Sequence, residues 1–252
     1  SEEETMKKTI VMLMTCFCSF VIVSFSPAAD FIISSPFAFK ERFPEGAETL
    51  GLPEGDVLQV GCFIKPVGTP IKEITIKNLA SGLVLKAVPM KYADLYPGLY
   101  EVHPYPPFDP IKHMGVWEVS VEDPTGSVIT VTTPEMDLKG QMPYIEGVKA
   151  TGDPLSPTIT WKAVNPADVP TGAEIRYRVT LLKDGDNQFY MSRPSPLTAH
   201  AVPGGKFKSE DLSKIYVRIN CMGFDKKDKK NSYPLEFQAS TILPLTEILE
   251  NQ

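Results

Sequence analysis

The chain has few of the residues that usually announce chemistry. Of its 252 residues, four are Cys, three His and two Trp. No sign of charge dominates, since 25 Lys and Arg stand against 31 Asp and Glu, a formal charge of −6. A mildly acidic chain carries no electrostatic footprint for nucleic acid. It has no Gly-x-Ser-x-Gly, no His-Glu-x-x-His, no phosphate loop and no Cys-x-x-Cys beyond its first 28 residues. The short signatures of hydrolases, zinc proteases and nucleotide sites are therefore missing. Paired carboxylates for glycoside hydrolysis stay open, because their spacing is spatial. Helical periodicity is lacking too. Pro, by contrast, is plentiful at 24 residues, nearly twice its usual share. It removes a backbone donor and clashes inside helices, which excludes a mostly helical bundle. With 42% hydrophobic and 22% charged residues the composition is globular, and the length allows one or two domains.

The first thirty residues read as an export signal. Lys7-Lys8 is followed by an uncharged apolar run, Ile10 to Phe25, and then by Ser26-Pro27-Ala28-Ala29. Positive, apolar and small-residue regions in that order define a cleaved secretory signal. Cleavage after Ala28 places Ser26 and Ala28 at the two small-residue positions, whereas cleavage after Ala29 places Pro27 badly. Residues 1–5 precede the first Met and read as upstream translation or a cloning remnant. Two alternatives stand beside this reading. An uncleaved anchor needs about 20 apolar residues, more than this run supplies. A lipid-bearing Cys16 would follow Leu13-Met14-Thr15, a poor lipobox. The expected location is periplasmic or extracellular in a bacterium, with no membrane span after cleavage. Cys62 and Cys221 remain in the mature chain, either paired or buried as small hydrophobes.

The rest of the chain alternates apolar and polar residues in short runs broken by Pro, Gly, Asn and Asp, the pattern of β-sandwiches and barrels. Val57 to Ile64 is apolar on both faces, which predicts a central or doubly covered strand. Strands are also expected at Ile71 to Leu79, Leu83 to Val88, Leu99 to His103, Gly115 to Glu122 and Ser127 to Thr133. Asp123-Pro124-Thr125-Gly126 makes the hairpin turn between the last two. The segment Gly115-Val116-Trp117-Glu118-Val119 with its hairpin resembles the penultimate strand of bacterial immunoglobulin-like domains. That resemblance implies a core position for Trp117.

A polar, Pro-flanked stretch from Pro134 to Pro143 separates the halves. The second half resembles a fibronectin type III domain over about 90 residues. Ser156 to Lys162 matches the strand whose Trp, here Trp161, fills the core. Ile175 to Leu181 matches the next, with Tyr177, Val179 and Leu181 facing in. Ile215 to Cys221 and Leu235 to Thr241 match the last two. The chain departs from the family at its corner Tyr, because Ile215 takes that inward phase and Tyr216 points out. The resulting expectation is an all-β chain: upstream residues and signal peptide 1–28, an immunoglobulin-like sandwich 30–138, a linker 139–144, a fibronectin type III-like sandwich 145–246 and a tail 247–252.

Two segments are candidate partner surfaces. Tyr92, Tyr96, Tyr100, Tyr105 and Phe108 lie among five Pro between Lys91 and His113, and flat rings held by Pro can stack on sugars or on extended peptide. The plainer reading packs them over the sandwich edge and the domain junction. Lys226, Lys227, Lys229 and Lys230 lie between the last two strands, either docking an anionic surface or forming a solvated hairpin tip. His103 and His113 lack a third ligand at a recognisable spacing, so no metal is expected. Asp184, Asp186 and Asn187 read as turn chemistry. No cofactor is expected. The functional expectation is a non-enzymatic exported protein that binds an envelope or extracellular protein. A glycan-binding accessory protein using the Tyr/Pro segment is the alternative, and a hydrolase a more distant one.

Overall fold

A computed structural model describes residues 31–66, 68, 70–90, 95–136, 140–170, 173–225 and 235–249. The expected signal peptide, Tyr92 and the four Lys between 226 and 230 lie outside the described residues. The chain is all-β. Its strands assemble into an 11-stranded sheet and a 3-stranded sheet.

The first half supplies β1 (Phe31–Phe43), β2 (Gly55–Pro66), β3 (Glu73–Asn78), β4 (Val84–Pro89), β5 (Leu99–Val102), β6 (Trp117–Glu122) and β7 (Val128–Thr132). Their hydrogen-bonded order is β1-β2-β5-β4-β3-β6-β7. The sheet curls on itself at β4, so β2 faces β6 across a core. Period-two alternation puts Leu58, Val60 and Cys62 from β2 against Val119 and Val121 from β6. Trp117 is fully buried, and its indole Nε1 donates to His113 O at 3.0 Å. The turn after β6 is held by Asp123, whose Oδ1 accepts from the backbone N–H of Thr125 and Ser127. That satisfies the turn's own donors, the usual role of Asp at this position.

β1 carries no strand expectation in the sequence reading. Pro36 interrupts its alternation, and a strand tolerates Pro only at an edge or a bulge. The structure places a register shift between Ser34 and Phe37, where the pairing with β2 skips past Pro36. On both sides of that shift β1 runs antiparallel to β2.

The second half supplies β8 (Lys149–Thr151), β9 (Thr158–Thr160), β10 (Ala173–Lys183), β11 (Asn187–Met191), β12 (Ala199–Ala201), β13 (Ile215–Asp225) and β14 (Leu235–Pro244). The 3-stranded sheet β12-β9-β8 packs on β11-β10-β13-β14. Trp161 and Tyr177 meet edge to face in the core between them, with centroids 5.5 Å apart. The Tyr177 hydroxyl accepts from the Val164 N–H at 3.1 Å. Val179, Leu181, Ile215, Val217, Ile219 and Cys221 complete this core.

The two halves do not simply follow one another. β1 pairs in parallel with β14, Lys40 opposite Phe237 and Arg42 opposite Ala239. This seam makes the two sandwiches one continuous sheet, β11-β10-β13-β14-β1-β2-β5. The connecting stretch is tied down at both ends. Met136 is buried in the first core and Met142 in the second, and the Tyr144 hydroxyl donates to Phe43 O at 2.8 Å. Cys62 and Cys221 are both free, each in its own core.

Candidate functional site

Strands shared between two sandwiches have two faces to account for. One face of the continuous sheet forms the cores. The other carries every second residue: Phe37, Phe39 and Glu41 from β1, Gln59 from β2, Arg218 from β13 and Gln238 from β14. These residues line a cavity of about 110 Å³ on the seam.

At its polar end Glu41 and Arg218 form an ion pair, with side chains 1% and 10% exposed. The carboxylate is well supplied with donors. Glu41 Oε1 also accepts from Ser240 Oγ at 2.6 Å, and Oε2 accepts from Gln59 Nε2 at 2.8 Å. Arg218 Nε and Asn220 Nδ2 both donate to Ser240 Oγ, at 2.9 and 2.7 Å. The Arg218 guanidinium also lies over the Phe43 ring at 4.9 Å. Buried charge is tolerated only when paired and hydrogen-bonded, and this network meets both conditions.

Glu101 sits beside this pair on β5. Burial pushes its pKa up to about 8. The Tyr105 hydroxyl, which donates to Oε1, opposes that shift, the Glu41 charge adds to it, and the Arg218 charge opposes it. At neutral pH the carboxyl is therefore mostly protonated and offers an O–H donor. On β11, Gln188 is 6% exposed, and its Nε2 has no hydrogen-bond partner although it lines the cavity.

The apolar end is an aromatic cluster in which Phe37, Phe39, Met222 and Phe224 pack with Phe63 and Leu99. Tyr96 reaches over Phe63 at a centroid distance of 6.4 Å, and its hydroxyl meets Met191 Sδ on β11. The loop before β5 thus touches the far strand of the second sandwich. At the opposite end, Ala47 and Leu52 pack with Phe43, Val57 and Leu182.

The aromatic residues singled out in the sequence separate into two groups. Tyr96 and Tyr105 line the cavity. Tyr100 and Phe108 pack instead against the first core. Phe108 meets His113 edge-on, with centroids 5.6 Å apart. His113 is buried, accepts from the Asp109 N–H at 3.0 Å, and has its pKa lowered by burial. His103 packs on the Tyr105 ring. Among the described residues no group of three or more His, Cys, Asp or Glu could hold a metal ion. Asp184 lies in the turn between β10 and β11 with φ of 50°.

Sequence reasoning missed Glu41, Gln59, Glu101, Arg218 and Gln188. One signal was present. Glu41 shares the phase of Phe37, Phe39 and Phe43, and a charge in an apolar phase asks for a buried partner. Arg218 and Asn220 read as solvent-facing in their own strand. The seam with β1 brings Glu41 against both. Tyr216, expected to point outward, is on that same face and packs beside Phe43 and Leu182.

No protein-family model matches the chain, and no curated protein matches it. Many solved structures show a distant likeness, among them the following two. One is from work on host cell surface retention of a 1.5-MDa bacterial ice-binding adhesin, at 12% identity and a TM-score of 0.26, covering 86% of this chain. The chain spans 65% of that structure's length. The other is Dpr11 IG1 bound to DIP-gamma IG+IG2, at 9% identity and a TM-score of 0.25, covering 84% of this chain and 96% of that one. Among the described residues no helix is long and apolar enough to cross a membrane.

Proposed function

We propose that the chain is an exported, non-enzymatic interaction protein that binds another envelope or extracellular protein through the cavity-side face of its first sandwich. The observation that carries this reading is an uncovered apolar set on that face. Ile32 pairs with Lys65, two residues beyond Phe63 in β2, and Val88 pairs with Glu101, so both share the cavity's side of the sheet. Val84 has the same phase as Val88. Ile32, Val84 and Val88 are 57%, 55% and 41% exposed. These three exposed apolar side chains, spread over β1 and β4, support that side of the sheet as the partner surface.

The second sandwich is fibronectin type III-like, with support from its strand order β12-β9-β8 over β11-β10-β13-β14. Residues 139–144 divide the two units. The N-terminal segment directs export and is cleaved after Ala28. The glycan alternative is less well supported. Tyr105 is bonded inward to Glu101, and Tyr100 and Phe108 pack on the first core, so these rings form no open platform for a sugar.

In-cell photocrosslinking tests the reading. A crosslinker at Val84 or Val88 is expected to capture one reproducible protein, while one at Leu197 on the second sandwich captures none. Absence of any adduct from Val84, Val88 and Ile32 in the native host overturns it.

A further inference from the structure

Beyond the partner surface on β1 and β4, we infer that the outer edge of β7 is a self-association site, where two copies of this chain join β7 to β7 as an antiparallel two-fold pair. Four strands end the two sheets: β7, β11, β8 and β12. An end strand presents a row of backbone donors and acceptors, and proteins guard such edges with charge, Pro, bulges or short length. β11 pairs through a register shift at Leu181–Leu182 of β10. β8 and β12 have three residues each, and Ala150 of β8 is met by Leu249. β7 has none of these guards. Its residues, Val128-Ile129-Thr130-Val131-Thr132, are all β-branched, without charge, Pro or Gly. Their register against β6 is unbroken.

The ladder fixes which groups point outward. Antiparallel pairs alternate between those that exchange hydrogen bonds and those that do not. The Asp123 N–H donates to Ser127 O, and the Thr133 N–H donates to Trp117 O. Counting in steps of two from either pair, Ile129 and Val131 bond to β6. Val128, Thr130 and Thr132 turn their N–H and C=O groups outward, and their side chains are exposed. Among the described residues no strand lies beyond them.

The occupant that answers alternating backbone donors and acceptors is another strand, and the residues fit a second copy. With Thr130 on the two-fold axis, Thr130 faces its own counterpart and Val128 faces Thr132 of the second copy. Every outward N–H then meets a carbonyl, and Val128, 56% exposed, gains cover. Charge does not oppose this pairing. The acidic residues on the same rows, Glu118 and Glu122, stand one strand back on β6. Glu118 would lie three strand spacings, about 14 Å, from Glu122 of the second copy. That exceeds the ~8 Å screening length at physiological salt.

Sedimentation equilibrium of the full chain tests this. A reversible dimer is expected. Thr130→Lys sets two like charges face to face and should weaken it at least about fivefold. Cysteine pairs read the register, since hydrogen-bonded partners have Cα atoms about 5.5 Å apart, within disulfide reach. Thr130→Cys should form a reducible dimer under mild oxidation that the unmodified chain does not form. Val128→Cys and Thr132→Cys should cross-link when mixed, and neither by itself. A chain that stays monomeric at millimolar concentration overturns the inference. So does a dimer that Thr130→Lys leaves unchanged, or equal cross-linking of Val128→Cys with and without Thr132→Cys. A photocrosslinker at Thr130 that captures a different protein in place of a second copy overturns it too. Sedimentation of the unmodified chain decides even if a variant fails to fold.

Discussion

Glu41 and Arg218, 177 positions apart, form a buried ion pair that reaches across β14 and ties the first sandwich to the second. The Ser240 hydroxyl bonds to both. Removing one member leaves an uncompensated charge behind, whereas replacing both by apolar residues of similar volume does not. Arg218→Met is therefore expected to cost about 3–5 kcal/mol in urea denaturation. The double variant Glu41→Leu/Arg218→Met should recover most of that loss. If Arg218→Met is as stable as the parent, the pair is not buried as described.

Glu101 makes stability depend on pH. Its native pKa is raised to about 8 by burial, against about 4.3 for an unfolded Glu. Between those values the native chain keeps a proton that the unfolded chain has released. The stabilising contribution is complete below the unfolded value and is lost as pH rises through the native one. The expected slope is about 1.4 kcal/mol per pH unit at most. Glu101→Gln carries no titrating group, so its stability relative to the parent should rise from pH 5 to pH 8 and then level off. Urea midpoints across that range check this. A constant difference contradicts it.

The close approach of β2 and β5 depends on Gly61. A Cβ there would lie 2.5 Å from Tyr100 O and 2.8 Å from Glu101 Cβ. Neither neighbour is the free end of a flexible side chain. Gly61→Ala should cost about 1–3 kcal/mol by overpacking, read as a lowered thermal midpoint.

Trp117 is the largest fully buried side chain of the first sandwich. Trp117→Ala removes its packing and its bond to His113 O, at an expected cost of about 3–5 kcal/mol. A cost under about 1 kcal/mol, the range of volume-conserving swaps, would show that the first core does not close around this residue.

The thiols of Cys62 and Cys221 are pushed up to about 12 by burial. Thiolate is the reactive form. Both should resist a disulfide reagent at neutral pH under native conditions and react together on unfolding. Rapid labelling of one thiol in the folded chain contradicts its placement in a core.

The longer strands β2, β3, β6, β10 and β13 were legible in the sequence because alternation reports a single solvent boundary, whereas the short β8, β11 and β12 were not. Trp117-Val119-Val121 and Tyr177-Val179-Leu181 each point one way, and each faces the core so marked. β1 was not legible. Pro36 breaks its period, and its partner β14 begins far along the chain. The site was partly legible, since Tyr96 and Tyr105 were singled out and both line the cavity. Its charged residues were not, because their covering is supplied from the other sandwich.

The sequence by itself determined the all-β character, the apolar face of most strands and the absence of short catalytic signatures. Local alternation, turn residues and Pro content suffice for these, since each depends on near neighbours. The tertiary structure decided which second faces are covered. The parallel pairing of Lys40–Arg42 with Phe237–Ala239 turns Glu41 and Arg218 from apparent surface charges into an interior pair. Gln188 of β11 lines the cavity on that seam. No local pattern encodes that outcome, because burial of a strand's outer face depends on contacts made by residues remote in the chain.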